Sequence, residues 1–169
     1  FVMKLVVAGI DLGGTNVKTA IVGRNGALIA KDSRPTEAED GLETVLDNMS
    51  ASLEAAMEEA KADPSDLVAI GIGAPGPMNW RTGVVYSPPN LPGWDNVPLA
   101  DLMRERHGAP TFVDNDANVA CWGEFWSGYS HDGGRFFRTL QPSRIPASSA
   151  PAIVKRLASG RLAMAWNRP

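Results

Sequence analysis

The chain has 169 residues, 44% hydrophobic and 21% charged, enough for one domain or one lobe of a larger protein with a buried core. A formal charge of −3 argues against general nucleic-acid binding, and the single cysteine, Cys121, excludes an internal disulfide framework and any Cys-rich zinc site while fitting a reducing, cytoplasmic location. No apolar run is long enough for a membrane span and no signal-peptide pattern is present; the chain opens Phe-Val-Met, which makes Met3 a candidate first residue. The first element is the apolar run Leu5, Val6, Val7 and Ala8, which predicts a buried strand. Val17, Thr19 and Ile21 alternate with Lys18 and Ala20 as a second strand should. Between them stands Ile10-Asp11-Leu12-Gly13-Gly14-Thr15-Asn16. Gly-Gly between two β-runs reads as a tight hairpin turn. Successive N–H groups of a Gly-rich turn can also point into one concavity and hold an anion such as phosphate. Thr15 adds a hydroxyl, and Asp11 a carboxylate suited to a phosphate-bound Mg²⁺, directly or through water. The residues alone leave the plain turn and the anion cradle equally open. This is not a P-loop, because no Gly-Lys-Ser/Thr follows and the turn leads into a strand.

Gly23-Arg24-Asn25-Gly26 is a second turn, residues 27–30 a third antiparallel strand, and residues 33–41 a polar linker containing Pro35. A helix begins at Leu42: Leu42, Val45, Leu46, Met49, Leu53, Ala56, Met57 and Ala60 recur at helical spacing. Glu43, Asp47, Glu54, Glu58 and Glu59 lie mostly outside that stripe and read as a solvated face, and Asp63-Pro64 ends the helix. Residues 67–72 form the strand after a crossover helix. It runs into Gly73-Ala-Pro-Gly-Pro77, a turn at the C-terminal end of a strand, where α/β folds bind ligands. Gly76 would let a ligand approach the backbone, although a rigid turn alone explains the composition. Val84 and Val85 suggest a short strand, and Ser87-Pro-Pro-Asn-Leu-Pro-Gly-Trp94 a loop. Its amide and indole suit a sugar site, where amide hydrogen bonds join an apolar ring face; an exposed structural loop fits equally. Pro98 suits the first turn of a short helix ending near His107, an exposed last-turn residue favourable to the helix dipole. Residues 111–113 form a strand, followed by Asp114-Asn115-Asp116-Ala117-Asn118 and a helix over about 117–126, with Cys121 a core thiol. The acids and amides at this junction are either helix caps or groups projecting into a cleft.

Three motifs occur in order: Asp11-Leu-Gly-Gly-Thr-Asn16 with Lys18, Gly73-Ala-Pro-Gly-Pro77, and Asn115-Asp-Ala-Asn118 followed by Gly123-Glu124; the Ser87–Trp94 loop adds a fourth. Over residues 4–128 the chain thereby resembles the bacterial ROK kinases and regulators, most closely the glucokinase branch. The resemblance implies the N-terminal lobe of an actin-like ATPase (ribonuclease H-like) fold, α/β, with a mixed sheet, flanking helices and a cleft against a second lobe. It implies phosphorylation of a hexose, glucose to glucose 6-phosphate first among them, using ATP with Mg²⁺, a step of glycolysis and carbohydrate metabolism. Asp116 matches the catalytic base, with Asp114 the rival acid. Asn90, Asn115 and Asp116 match sugar contacts, and Gly76 lies in the sugar-side loop. Asp11, Gly13, Gly14, Thr15 and Lys18 match the first phosphate loop. The chemistry agrees, since phosphoryl transfer needs chiefly positioning, charge neutralisation and a base. Expected partners are the hexose and ATP, with no specific nucleic acid, no membrane and no protein-bound metal; full-length relatives are expected to be homo-oligomers.

The resemblance ends near Gly128. The second Gly-rich phosphate loop, the Glu/His sugar segment, the Cys-rich zinc site and the adenosine lobe that the family leads one to expect do not follow. Residues 1–128 carry 9 Lys and Arg against 18 Asp and Glu, whereas residues 129–169 carry 7 against 1. The composition change suggests that 129–169 is an out-of-frame or otherwise unrelated extension, the alternative being a genuine basic linker. Residues 152–165 could form a helix, and His131 reads as an exposed tail residue. Three functions compete: a hexose kinase present as its N-terminal lobe, a sugar-responsive regulator of the same family, and a noncatalytic sugar-binding remnant. A regulator would normally carry a helix-turn-helix domain ahead of the first strand, which here begins at Lys4, and Asp116 favours the kinase.

Overall fold

Strict alternation builds the start of the fold. In β1 (Val6–Leu12) every second side chain is buried, leaving Val7, Gly9 and Asp11 on the opposite face. β2 (Asn16–Gly23) repeats the pattern and buries Val17, Thr19 and Ile21. A computed structural model describes residues 5–120, Gly123 and two short strands at 153–156 and 162–165. It divides into two compact units, Phe1–Val119 and Ala120–Pro169.

The first unit is organised on a five-stranded mixed sheet in the order β3-β2-β1-β4-β7, where β3 is Leu28–Pro35, β4 Leu67–Ala74 and β7 Thr111–Asn115. β1, β2 and β3 are antiparallel, as the sequence predicts, and β4 and β7 run parallel to β1. β3 corrects the expected linker at 33–41: it keeps pairing with β2 until Pro35 lies opposite Asn16. Its residues are polar because it is an edge strand, and Pro is tolerated where no ladder N–H is needed.

Helix α1 (Leu42–Glu59) turns its predicted stripe onto one face of the sheet and buries Val45, Leu46, Met49, Leu53, Ala56 and Met57. Ser52 joins that buried face and shares a 2.8 Å hydrogen bond with Thr19 of β2. Helix α2 (Leu99–His107) lies beside α1, where Arg106 donates to Asp47 at 2.6 Å and to Glu43 at 2.7 Å. His107 was expected to be exposed. It is half-buried instead, with Nε2 3.0 Å from Ser50 Oγ, and burial pushes its pKa below the usual imidazole value.

Between β4 and α2 a small hairpin forms from β5 (Met78–Asn79) and β6 (Val84–Val85). Gly83 there has φ +68°, and a Cβ would collide with that of Ala100, so the hairpin is seated directly on α2. The following loop folds its indole inward. Trp94 is 2% exposed, with Nε1 lacking a hydrogen-bond partner among the described residues, so the ring belongs to the core and offers no face to a ligand. Residues 116–120 are helical, the start of the helix expected over 117–126.

In the second unit, β8 (Ile153–Arg156) and β9 (Leu162–Ala165) pair antiparallel, where a helix over 152–165 was expected. Ile153 and Val154 are β-branched, and Gly160 between the strands disfavours a continuous helix. Expectations for Met3, Lys4, Cys121, Glu124, Gly128, His131 and helix residues 124–126 fall outside the described residues.

Candidate functional site

The parallel register of β1, β4 and β7 brings three strand ends level, pairing Asp11 with Gly73 and Gly73 with Asp114. Paired residues of parallel strands share a face, so Asp11 and Gly73 lie on the side away from α1. A Cβ on Gly73 would stand 3.5 Å from Asp116 Cα, which places the start of the last helix over Gly73 on that same side. Asp11 and Asp116 therefore open to one side of the sheet, around a residue with no side chain.

The loops close onto this point by contact. A Cβ on Gly14 would lie 2.9 Å from Asn90 Cβ and 3.1 Å from Asn90 O, so the Gly-rich turn and the 87–94 loop touch through the space a side chain would fill. Gly76, at φ +84°, would place a Cβ 2.7 Å from Pro88 Cβ. Asn115 Nδ2 donates to Gly76 O at 3.3 Å. The predicted residues Asp11, Gly13, Gly14, Thr15, Gly76, Asn90, Asn115 and Asp116 thus follow one another around a single circuit of loops. Lys18 joins them across the hairpin, paired with Asp11 in register, its Nζ 4.0 Å from Asp11 Oδ2. Both side chains are more than 60% exposed, so this ion pair contributes little to stability and leaves both charges accessible.

The two acids at the end of β7 differ. Asp114 is half-buried, and its Oδ1 accepts from the Asn115 N–H at 2.7 Å and from Asn118 Nδ2 at 3.0 Å. Asp116 is exposed; its Oδ1 accepts the Ala117 N–H at 2.7 Å, and its second oxygen has no partner among the described residues. Asp114 fastens the junction, whereas Asp116 retains a carboxylate oxygen for a ligand.

The Gly-rich turn is fixed from behind by Thr36, a residue that belongs to none of the motifs. Its hydroxyl donates to Gly13 O at 2.6 Å and its N–H to Thr15 O at 2.9 Å. Gly13 N–H closes the turn on Asn16 O at 3.0 Å. The N–H groups of Gly14 and Thr15 meet no acceptor among the described residues. Together with the Thr15 hydroxyl and the Lys18 ammonium they form a donor set that fits a phosphate. Asp11 fits a water-mediated contact to a divalent cation carried by that phosphate. No cluster of three or more His, Cys, Asp or Glu side chains able to hold a metal occurs among the described residues. A separate cavity of about 350 Å³, lined by Trp80, Arg81, Arg104 and Phe112 among others, includes none of the predicted site residues.

The family model described as the ROK family matches residues 7–137. The chain is 38% identical over 127 residues to a glucokinase of Halalkalibacterium halodurans, a match covering 75% of this chain and 38% of the relative. It is 32% identical over 123 residues to a putative xylose repressor of a Caldicellulosiruptor species, covering 73% of this chain and 31% of the relative. The crystal structure of a ROK family glucokinase from Streptomyces griseus, in complex with glucose and AMPPNP, superposes with a TM-score of 0.64 at 31% identity. That match covers 73% of this chain and 38% of the other. The sheet order and helices are those of an actin-like ATPase lobe, the fold of these neighbours. The chain spans about two fifths of the length of the glucokinases it matches.

Proposed function

Because the chain belongs to the ROK family, we propose that residues 1–128 are the N-terminal lobe of a sugar kinase that transfers a phosphoryl group from ATP to a hexose, glucose foremost, in the cytoplasm. The observation that carries this reading is the placement of Asp116 and the Asp11 turn on one side of the sheet, flanking Gly73. Phosphoryl transfer needs a base at the attacking hydroxyl and donors at the phosphates, in line with each other. Asp116 is the base: its free oxygen takes the proton of the hexose hydroxyl as that oxygen attacks. Gly14, Thr15 and Lys18 hold phosphate oxygens through N–H, hydroxyl and ammonium donors. Mg²⁺ bound with ATP would neutralise phosphate charge, with Asp11 the carboxylate placed to meet its waters. Asn90, seated against Gly14, presents its amide to the hexose beside the 73–77 loop. Residues 129–169, with their reversed charge balance, are in this reading an extension to the lobe, the family match running on only as far as residue 137.

The relation to a putative xylose repressor supports a second reading, a sugar-responsive regulator that keeps the sugar side without the chemistry. The free carboxylate oxygen of Asp116 favours the kinase, because sugar binding alone needs no base. A coupled ADP-release assay with a panel of hexoses separates the two. Three proteins enter it: the 169-residue chain, a version extended through the lobe its glucokinase relatives possess, and the extended version carrying Asp116→Asn. Positioning accounts for roughly 7–11 kcal/mol of such barriers, so the short chain should turn over below detection. The extended protein should phosphorylate a hexose, and Asp116→Asn should lose about 10²–10⁴-fold in rate while still binding sugar. An undiminished Asp116→Asn rate would sink the assignment of the base, and an extended protein that binds sugar without turnover would establish the regulator.

A further inference from the structure

We propose that Thr36 is a positioning residue of the Gly-rich turn, its hydroxyl holding the Gly13–Gly14 peptide so that the Gly14 N–H stays aimed at a phosphate oxygen. The proposal rests on the reading of that turn as a phosphate cradle and assigns to the cradle a residue from outside it. Two adjacent glycines let the chain approach a ligand closely, but they also leave the peptide between them free to rotate. A turn whose donors must point one way therefore needs a restraint from elsewhere in the fold. Thr36 is fully buried; its hydroxyl donates to Gly13 O at 2.6 Å, and its N–H donates to Thr15 O at 2.9 Å. The carbonyl and the N–H of a planar trans peptide point in opposite directions. Drawing Gly13 O towards Thr36 thus directs the Gly14 N–H away from Thr36, where it meets no acceptor among the described residues. A hydrogen bond accepted by a peptide carbonyl also polarises the N–H of the same unit, which strengthens it as a donor.

Strand register explains how a residue so far along the chain reaches the turn. β3 keeps pairing with β2 until Pro35 lies opposite Asn16, and Asn16 O is the acceptor on which the Gly13 N–H closes the turn at 3.0 Å. Thr36, the next residue, is thereby delivered against the turn. The polar second half of β3 has a purpose in this arrangement, because a ladder ending earlier would leave Thr36 short of Gly13 O. The two bonds of Thr36 differ in what they ask of the side chain. The N–H bond to Thr15 O is open to any residue but proline. The bond to Gly13 O requires a hydroxyl, which serine keeps and valine, of nearly the same shape as threonine, lacks.

Two measurements on the 169-residue chain test this. In the first, magnesium tripolyphosphate, the phosphate chain of ATP without its nucleoside, is titrated while the Gly14 and Thr15 amide resonances are followed. Thr36→Val and Thr36→Ala should each weaken binding by about 10–100-fold, the worth of a hydrogen bond to a charged group, and Thr36→Ser should bind as the parent does. Ser52→Ala controls for lost stability: it removes a buried hydroxyl that bonds to Thr19 under α1, and it should leave the affinity unchanged. Undiminished binding by both Thr36→Val and Thr36→Ala overturns the proposal, as does an equal loss in Thr36→Ser or in Ser52→Ala. The second measurement uses no ligand. Hydrogen exchange of the Gly13 amide should quicken several-fold in Thr36→Val and stay at the parent rate in Thr36→Ser. An unchanged Gly13 rate in Thr36→Val shows that the hydroxyl does not hold the turn, and the proposal falls. If the parent binds no tripolyphosphate, the phosphate reading of the turn fails, while the exchange rates still decide whether Thr36 holds it.

Discussion

The two faces of the five-stranded sheet serve different ends. The face under α1 is a continuous core in which Leu12, Val17, Ile21, Val45, Leu46 and Met49 are fully buried. The opposite face carries Gly9, Gly71 and Gly73, and its apolar residues are part-exposed among the described residues, Val7 by 41% and Phe112 by 66%. Burial of apolar area stabilises the first face, whereas the second contributes little packing among the described residues and brings Asp11 and Asp116 together at the strand ends. In the proposed reading folding and chemistry are separated across a sheet one residue thick, and substitutions on the two faces should be read by different instruments.

The sharpest test pairs one residue from each face. Leu46→Ala should destabilise by about 2–5 kcal/mol in a denaturant titration, because it empties a fully enclosed position. Phe112→Ala should cost less than about 0.5 kcal/mol, as an exposed site does. Equal losses would abolish the distinction between the faces. A smaller effect lies at the polar contact within the covered face. Ser52→Ala strands the buried Thr19 hydroxyl and should cost about 1–3 kcal/mol, and adding Thr19→Val should recover part of that loss. Failure of the second substitution to recover anything would show that packing, not the hydrogen bond, dominates there.

The smallest effect concerns pH. His107 is held below its ordinary pKa chiefly by burial, with Arg106 acting in the same sense and Glu54 opposing. The unfolded chain therefore takes up this proton first. The stability due to the neutral ring is fully present above about pH 6.5 and is lost as pH falls from there through the folded-state value. His107→Gln should flatten that part of the stability profile and leave the region above pH 7 unchanged. A profile identical to the parent would place the pH dependence elsewhere.

The covered face was legible in the sequence because its signals are periodic: alternation in β1 and β2, and a 3.6-residue stripe in α1. The second half of β3 was not, since Lys31, Asp32, Ser33 and Arg34 lie on an edge strand and show no apolar alternation. His107 and Trp94 were misjudged for a common reason. Composition identifies a residue's chemistry but not what a distant element brings against it, and here Ser50 closes on the imidazole while the core takes the indole. The strand-end glycines and acids of the site were visible as motifs. Their mutual arrangement was not, because the contacts of Gly14 with Asn90 and of Gly76 with Pro88 depend on vacant space, which leaves no mark in local sequence. Thr36 left no signal at all, being one threonine in a polar stretch.

Thr36 also links the two faces mechanically. Behind its bonds to Gly13 and Thr15, its own carbonyl accepts from Asn48 Nδ2 of α1 at 3.2 Å, and that amide also donates to Glu37 at 2.9 Å. The Gly-rich turn is thus the exposed end of a strut whose inner end rests on the core helix. A load applied at the turn reaches α1 through two residues, and the side-chain amide of Asn48 becomes a remote gauge of whether the turn is occupied, readable from the opposite side of the sheet.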